Sequence, residues 1–234
     1  MIIIPVFNPN NEIIKLVLKL NKFYKISTKN IFIVNDYSIN KRSKKIFDIL
    51  KKLGCKISDN KNHKGKGAAI KWGLDIGLNE RSEYILFADG DGQHTAKDII
   101  NLINIGKKEK KFIIGERNFR TAPLLNKFSN HLSNLLFNYH TKLNIKDSQC
   151  GLRFIPNKYF ILFKELDGIK FDYELNMLFY LAKSKSEICQ VAIETVYFKS
   201  KYSSQFRRIK DSLIILKIFF KYFLPKKYTI KIKN

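Results

Sequence analysis

Long apolar runs, paired cysteines and acidic residues are what this 234-residue chain has least of. No stretch approaches 18 uncharged apolar residues, so no transmembrane helix is expected. The opening MIIIPVFNPN carries no basic segment, and its apolar run is too short for a signal peptide, so secretion is not expected. Cys55, Cys150 and Cys189 are odd in number and widely spaced. That argues against a disulfide framework and a cysteine metal site, and for a reducing compartment. Internal repeats and low-complexity blocks are absent as well. The acidic count is low, at 20 against 44 Lys and Arg, which leaves a formal net charge of +24. Abundant Lys, Asn and Ile point to an AT-rich coding bias behind part of that charge. The remainder implies anionic partners: nucleic acid, an anionic membrane surface or phosphorylated substrates.

What is present is enough for a core. Apolar residues make up 45%, including 19 Phe and 11 Tyr. The length fits one large domain, or one domain with a C-terminal appendage. Through residue 115, short β-rich runs alternate with longer helical patterns. Strands are expected at MIIIPVF, at 31–36, weakly at CKIS, at 84–89 and at KFIIGER. Helices are expected over 11–26, 40–53, the glycine-opened HKGKGAAIKWGLDIGL and 96–107. This alternation predicts an α/β fold with a mostly parallel, buried sheet. In such a sheet ligands sit beyond the carboxyl ends of the strands, which places Phe7–Asn8, Asn35–Asp36 and Asp89–Asp91 along one edge. Further on, the pattern gives a helix over 123–142, a polar loop KDSQCGLRF, helices over 157–166 and 172–184, and β runs at 187–192 and 194–199.

The segment LFADGDGQHT, residues 86–95, asks why a core strand should end in so many ligand atoms. Asp89, Asp91 and Gln93 alternate on a turn and can aim oxygens at one hard cation, as magnesium prefers, leaving positions for phosphate. Gly90 and Gly92 would let the backbone approach a bulky ligand. A solvated acidic turn is the plain alternative. An EF-hand is a poorer fit, since its later ligands and closing Glu are missing. Asp36 ends another strand and reads equally as a helix cap or a ligand. Gly65-Lys66-Gly67 is not a Walker A loop, because no Lys-Ser/Thr pair follows. It matches a dinucleotide fingerprint only weakly, with Ile70 at the third glycine position. A helix N-terminus carrying Lys66 would nonetheless attract phosphate. His94 adjoins the acidic turn and is read as a supporting residue, while His63, His131 and His140 are read as surface or packing residues.

Seven segments, in order over residues 2 to 215, resemble the family 2 glycosyltransferases of GT-A fold, in the branch similar to dolichyl- or polyprenyl-phosphate sugar synthases. They are IPVFNPN, IVNDYS, GKGAAIKWG, ADGDGQH, GERNF, DSQCGLRFIP and IETVYFKSKYSSQF. The resemblance implies that Pro5, Phe7, Asn8 and Asp36 bind the nucleotide of the donor, along with Lys66 and Asp89. It implies that Asp89, Asp91 and Gln93 hold Mg2+ or Mn2+ on the donor diphosphate, and that Arg117 and Arg153 lie near phosphates. Four positions depart from the family pattern: Pro9 for Glu, Tyr37 for Gly, Glu116 for a small residue and Gln205 for His. They bear on donor identity more than on activity.

The implied reaction is inverting displacement at the anomeric carbon of a nucleotide-sugar. A polyprenyl phosphate acceptor is already ionised and needs no base. A sugar hydroxyl on a lipid-linked or surface glycan needs a carboxylate to take its proton. Asp172, Glu174 and Asp147 are the candidates beside Asp91, and the first two read equally as a helix cap and a first-turn dipole partner. The catalytic domain is expected over 1–200. Residues 201–234, with ten Lys/Arg and one acidic residue, read as a basic amphipathic helix. That helix either lies on an anionic membrane or packs on its own domain. The expected location is the cytoplasmic side of the cell membrane, with membrane contact peripheral or supplied by a partner protein. A nucleic-acid-binding protein is the competing class. It lacks a zinc-knuckle spacing or RNP motif, and the acidic turn would repel phosphate without a metal.

Overall fold

The computed structural model describes residues 1–60, 65–119, 124–196 (the side chains of 124–129 excepted) and Phe219. Its centre is a strand that begins almost at the first residue. β1 (Ile2–Val6) is buried along nearly its whole length, as β-branched runs are when helices cover a parallel sheet. It pairs in parallel with β2 (Ile31–Asn35) on one side and β4 (Tyr84–Phe87) on the other. β3 (Lys56–Asp59) forms the outer edge beyond β2. The seven-stranded sheet has the order β3-β2-β1-β4-β6-β5-β7, with β5 (Phe112–Arg117), β6 (Arg153–Pro156) and β7 (Ile188–Ile193). β6 runs antiparallel between β4 and β5, and β7 is parallel to β5.

β6 falls where a polar loop was expected. Its four residues begin with Arg and end with Pro, too short and too mixed to show a period. Yet Leu152, Phe154 and Ile155 are fully buried. The helix expected over 157–166 is a 3-10 turn at Asn157–Tyr159 followed by a short α-helix (Phe160–Lys164). Of the last β run, Thr195 forms an isolated antiparallel bridge to His94. Residues 197–199, Gln205 and the expected basic helix lie outside the described residues, apart from Phe219. That ring is buried and meets Phe179 edge-on at 5.9 Å.

The helices sort into two packed groups. α1 (Glu12–Tyr24) meets α2 (Lys41–Lys52) and α4 (Ala96–Glu109); α3 (Lys66–Asn79) meets α6 (Phe160–Lys164) and α7 (Asp172–Lys183). α5 (Leu124–Thr141) packs on α7. Local capping sets where these helices start. Asn40 accepts from the Ser43 N–H at 2.8 Å to open α2. Thr95 accepts from the Asp98 N–H at 3.1 Å and donates to the Asp98 carboxylate at 2.7 Å to open α4. α4 therefore begins immediately after the acidic turn, and the turn is held between a core strand and a capped helix.

Candidate active site

The carboxyl ends of β1, β2 and β4 converge as expected. The Asp36 N–H donates to the Val6 carbonyl at 2.8 Å, and the Asn8 N–H donates to Ser38 Oγ at 2.7 Å, tying the first two strand ends together. Asn35 fixes the second turn by accepting from the Ser38 N–H and donating to Asp59, both at 2.8 Å. Pro5 and Phe7 are half-buried on β1 and just beyond it, and Asn8 is exposed. Asp36 is buried. Its carboxylate accepts from the Gly65 N–H at 3.2 Å, at the entrance to α3. Tyr37, where the family pattern has Gly, is held at φ 63 and is 46% exposed. This left-handed backbone explains the family's glycine.

Asp89 lies just past β4 with both carboxylate oxygens engaged. Oδ1 is 2.7 Å from Lys66 Nζ, and Oδ2 is 3.2 Å from His94 Nε2. Burial by itself would raise the Asp89 pKa, but the Lys66 ammonium and His94 together hold it well below the carboxylate range. Lys66 also reaches Glu174 Oε2 at 3.1 Å, and these two carboxylates keep it protonated against the cost of burial. Asp91 accepts from the Gln93 backbone N–H at 3.0 Å and from the Gln93 side-chain amide at 2.9 Å. Burial, then the charge of Asp89, push its carboxyl up to about 6. Gln93 therefore orients Asp91 through its amide nitrogen.

This arrangement fits a divalent cation. Two carboxylates share one turn, and the second is held against its neighbour's repulsion, a cost that a dication would remove. Magnesium and manganese need only one or two protein carboxylates when phosphate oxygens complete the shell. Gly151 keeps the space open: a Cβ there would lie 2.4 Å from Asp89 Oδ2 and 2.7 Å from Lys66 Nζ. Gly92, at φ 88, supplies the turn. Gly90 does not serve ligand approach as expected. A Cβ there would strike Val6 Cγ1 at 2.5 Å, so it is needed for packing against β1.

The other expected site residues separate into two buried clusters and one local cap. Arg117 binds Asp147 in a fork, Nε to Oδ2 at 2.6 Å and Nη2 to Oδ1 at 2.9 Å, and the Arg117 backbone N–H and the Asn130 amide add donors at 3.2 and 3.0 Å. Asp147 is thus a buried anchor for Arg117. Glu116 pairs with Lys146 at 3.3 Å. Arg153 was expected near a phosphate. It is 1% exposed instead, and donates to the carbonyls of Cys150, Glu174 and Ser148 at 2.9, 2.6 and 3.1 Å. Asp172 accepts from the Lys170 N–H of its own loop at 2.8 Å. Glu174 is buried beneath Lys66.

Two contributors escaped the sequence reading. The segment after β7 covers the acidic turn: Val196 N–H donates to the Gln93 carbonyl at 3.2 Å, and Glu194 N–H to Asp98 at 3.2 Å. The family-like runs ADGDGQH and IETVY are thus in contact, although only their order was visible. The loop before α7 caps α3, with Ala68 N–H donating to the Ile169 carbonyl at 3.0 Å. A Cβ on Gly67 would lie 2.7 Å from the Lys170 carbonyl. That close approach explains the glycine beside Lys66 and brings Glu174 within reach of it.

The pattern of the family described as glycosyl transferase family 2 matches residues 1–168. The chain belongs to glycosyl transferase family 2. The chain is similar to an uncharacterized protein of Methanocaldococcus jannaschii, 27% identical over 205 residues, covering 83% of this chain and 87% of that protein. It is 29% identical over 178 residues to a UDP-N-acetylglucosamine–dolichyl-phosphate N-acetylglucosaminyltransferase of Methanococcus voltae, covering 71% of this chain and 68% of that one. Among solved structures, it resembles glucosyl-3-phosphoglycerate synthase of Mycobacterium tuberculosis in complex with Mn2+, UDP and glucosyl-3-phosphoglycerate. The TM-score is 0.69 at 10% identity, covering 93% of this chain and 78% of that one. The family 2 chain has the GT-A fold and is a glycosyltransferase.

Proposed function

We propose that this glycosyltransferase moves a sugar from a nucleotide-sugar to a polyprenyl phosphate, with inversion at the anomeric carbon and with Mg2+ or Mn2+ held by Asp89 and Asp91. The observation that carries the acceptor class is that Glu174, Asp147 and Asp172 are each tied to a neighbour of their own. Glu174 serves Lys66, Asp147 serves Arg117, and Asp172 caps its own loop. A hydroxyl acceptor needs a carboxylate free to take its proton. A phosphate monoester arrives ionised and needs none. The Methanococcus voltae relative, named for a dolichyl-phosphate acceptor, supports the same reading.

Each residue then has a task. Pro5, Phe7, Asn8 and Asp36 shape the pocket for the nucleoside at the ends of β1 and β2. Bound at Asp89 and Asp91, the cation would neutralise charge on the departing diphosphate. Gln93 and His94 hold those two carboxylates in orientation. Arg117, fixed by Asp147 with 17% of its side chain exposed, is the candidate contact for phosphate, since a guanidinium matches phosphate oxygens in pairs. Among the described residues no helix is long and apolar enough to cross a membrane. On this reading a lipid acceptor is met at an anionic membrane surface on the cytoplasmic side, through the basic residues of 201–234 or a membrane partner. Nucleic acid is not a proposed partner.

The test is transfer of labelled sugar from UDP-GlcNAc, UDP-glucose, UDP-galactose or GDP-mannose to dolichyl phosphate, with Mn2+ and with EDTA. A lipid-phosphate product from one donor, absent with EDTA, is expected. Transfer to a glycan hydroxyl with none to dolichyl phosphate would move the reading to the hydroxyl class.

A further inference from the structure

Glu174 carries a feature that its pairing with Lys66 leaves unused. Its side chain is 5% exposed, and Oε1 has no hydrogen-bond partner among the described residues. Arg153 Nε stands 3.9 Å from that oxygen, beyond hydrogen-bond reach, and its one N–H is already committed to the Cys150 carbonyl. A buried carboxylate oxygen without a donor is costly and rare. Lys66 Nζ sits between this carboxylate and Asp89, 3.1 Å from one and 2.7 Å from the other. An ammonium has three donors on a rotatable stem and can turn from one partner to the other without crossing the site.

We propose that Lys66 is a place-holder for the divalent cation: its ammonium neutralises Asp89 in the metal-free protein and passes to both oxygens of Glu174 when the cation takes Asp89. Charge balance supports the exchange. Asp89, Asp91 and Glu174 face Lys66 and Arg153, three negative charges against two positive. A dication entering while Lys66 stays on Asp89 would meet an ammonium 2.7 Å from its own ligand. With Lys66 withdrawn to Glu174, the ammonium is paired, Oε1 gains a donor, and Asp89 is released without a buried charge being stranded. The site then has one excess positive charge for the donor's diphosphate. Glu174, considered above as a base, is on this account a positioning residue. The inference rests on the metal site proposed at Asp89 and Asp91.

The test is Mn2+ binding to the full chain without nucleotide-sugar, followed by the spin-resonance signal of free Mn2+, for variants first shown to melt cooperatively. Lys66→Met removes the competitor and is expected to bind Mn2+ about fivefold more tightly or better, the lower end of ordinary coupling between two sites. Lys66→Gln carries the same test should the Met variant not fold. Glu174→Gln leaves Lys66 with Asp89 as its ionised partner and is expected to weaken Mn2+ binding by a similar factor. Combining Lys66→Met with Glu174→Gln is expected to restore the tight binding, which a merely structural role for Glu174 would not do. Lys66 variants that bind Mn2+ no better than the parent chain, or a double variant as weak as Glu174→Gln, would overturn the exchange and leave the metal site standing. Absence of Mn2+ binding in both the parent chain and Lys66→Met would overturn the metal site itself.

Discussion

Asp91 is a carboxylate kept where its charge is unwelcome. Its carboxyl is pushed up to about 6 by burial and by Asp89, while an unfolded chain would titrate it near the ordinary value of 3.8. Between those values the native state binds more protons than the unfolded state, so stability falls as pH rises through that window. Asp89 has the opposite sign. Its depressed pKa contributes stability above the unfolded value and loses it as pH falls below about 4. Asp91→Asn removes only the first effect. In EDTA the variant is expected to melt higher than the parent chain at pH 7.5 and no higher at pH 4, by calorimetry at both pH values. An equal difference at the two pH values would contradict the strained carboxylate. Gly151 makes the complementary point by what it lacks. A methyl group there would lie 2.4 Å from Asp89 Oδ2, so Gly151→Ala is expected to fold yet weaken Mn2+ binding about tenfold or more. Unchanged Mn2+ binding would show that Asp89 has room to move aside.

At the scale of elements, the acidic turn is useful because its two ends are fixed. β4 enters it from the core, and α4 leaves it through the Thr95 cap. Thr95→Ala removes one helix cap and is expected to lower stability by about 1 kcal/mol, a melting shift of about 2–4 °C for a chain of this size. A shift below 1 °C would mean that Asp98 or the covering segment, and not Thr95, anchors the turn. β1, β2 and β4 could be read from sequence because each is a run of Ile, Val, Leu or Phe ending in polar ligands, a composition few other elements produce. β6 could not. Arg153 at its start looks like a phosphate ligand, because nothing in a linear sequence shows that three carbonyls converge on its guanidinium. The pairing of Lys66 with Glu174 was hidden for the same reason, since it depends on the loop before α7 folding over the N-terminus of α3. Asp89 and Asp91 were legible because their spacing is local; the carboxylates that arrive from distant elements could be named but not assigned to partners.

For the whole molecule the governing quantities are a net charge of +24 and a site built at one edge of a seven-stranded sheet. If the basic surface serves a lipid acceptor, the full chain is expected to sediment with phosphatidylglycerol vesicles at about 0.1 M salt and to be released near 1 M, where the screening length is about 3 Å. Equal binding to neutral vesicles would point to an apolar contact instead. The donor site is tested most directly by the melting temperature with each nucleotide-sugar and free diphosphate, in Mn2+ or Mg2+ and then in EDTA. A stabilising shift with one donor, abolished by EDTA and by Asp91→Asn, is the predicted result. No shift with any donor, from a chain that melts cooperatively, would contradict a nucleotide-sugar site at Asp89 and Asp91.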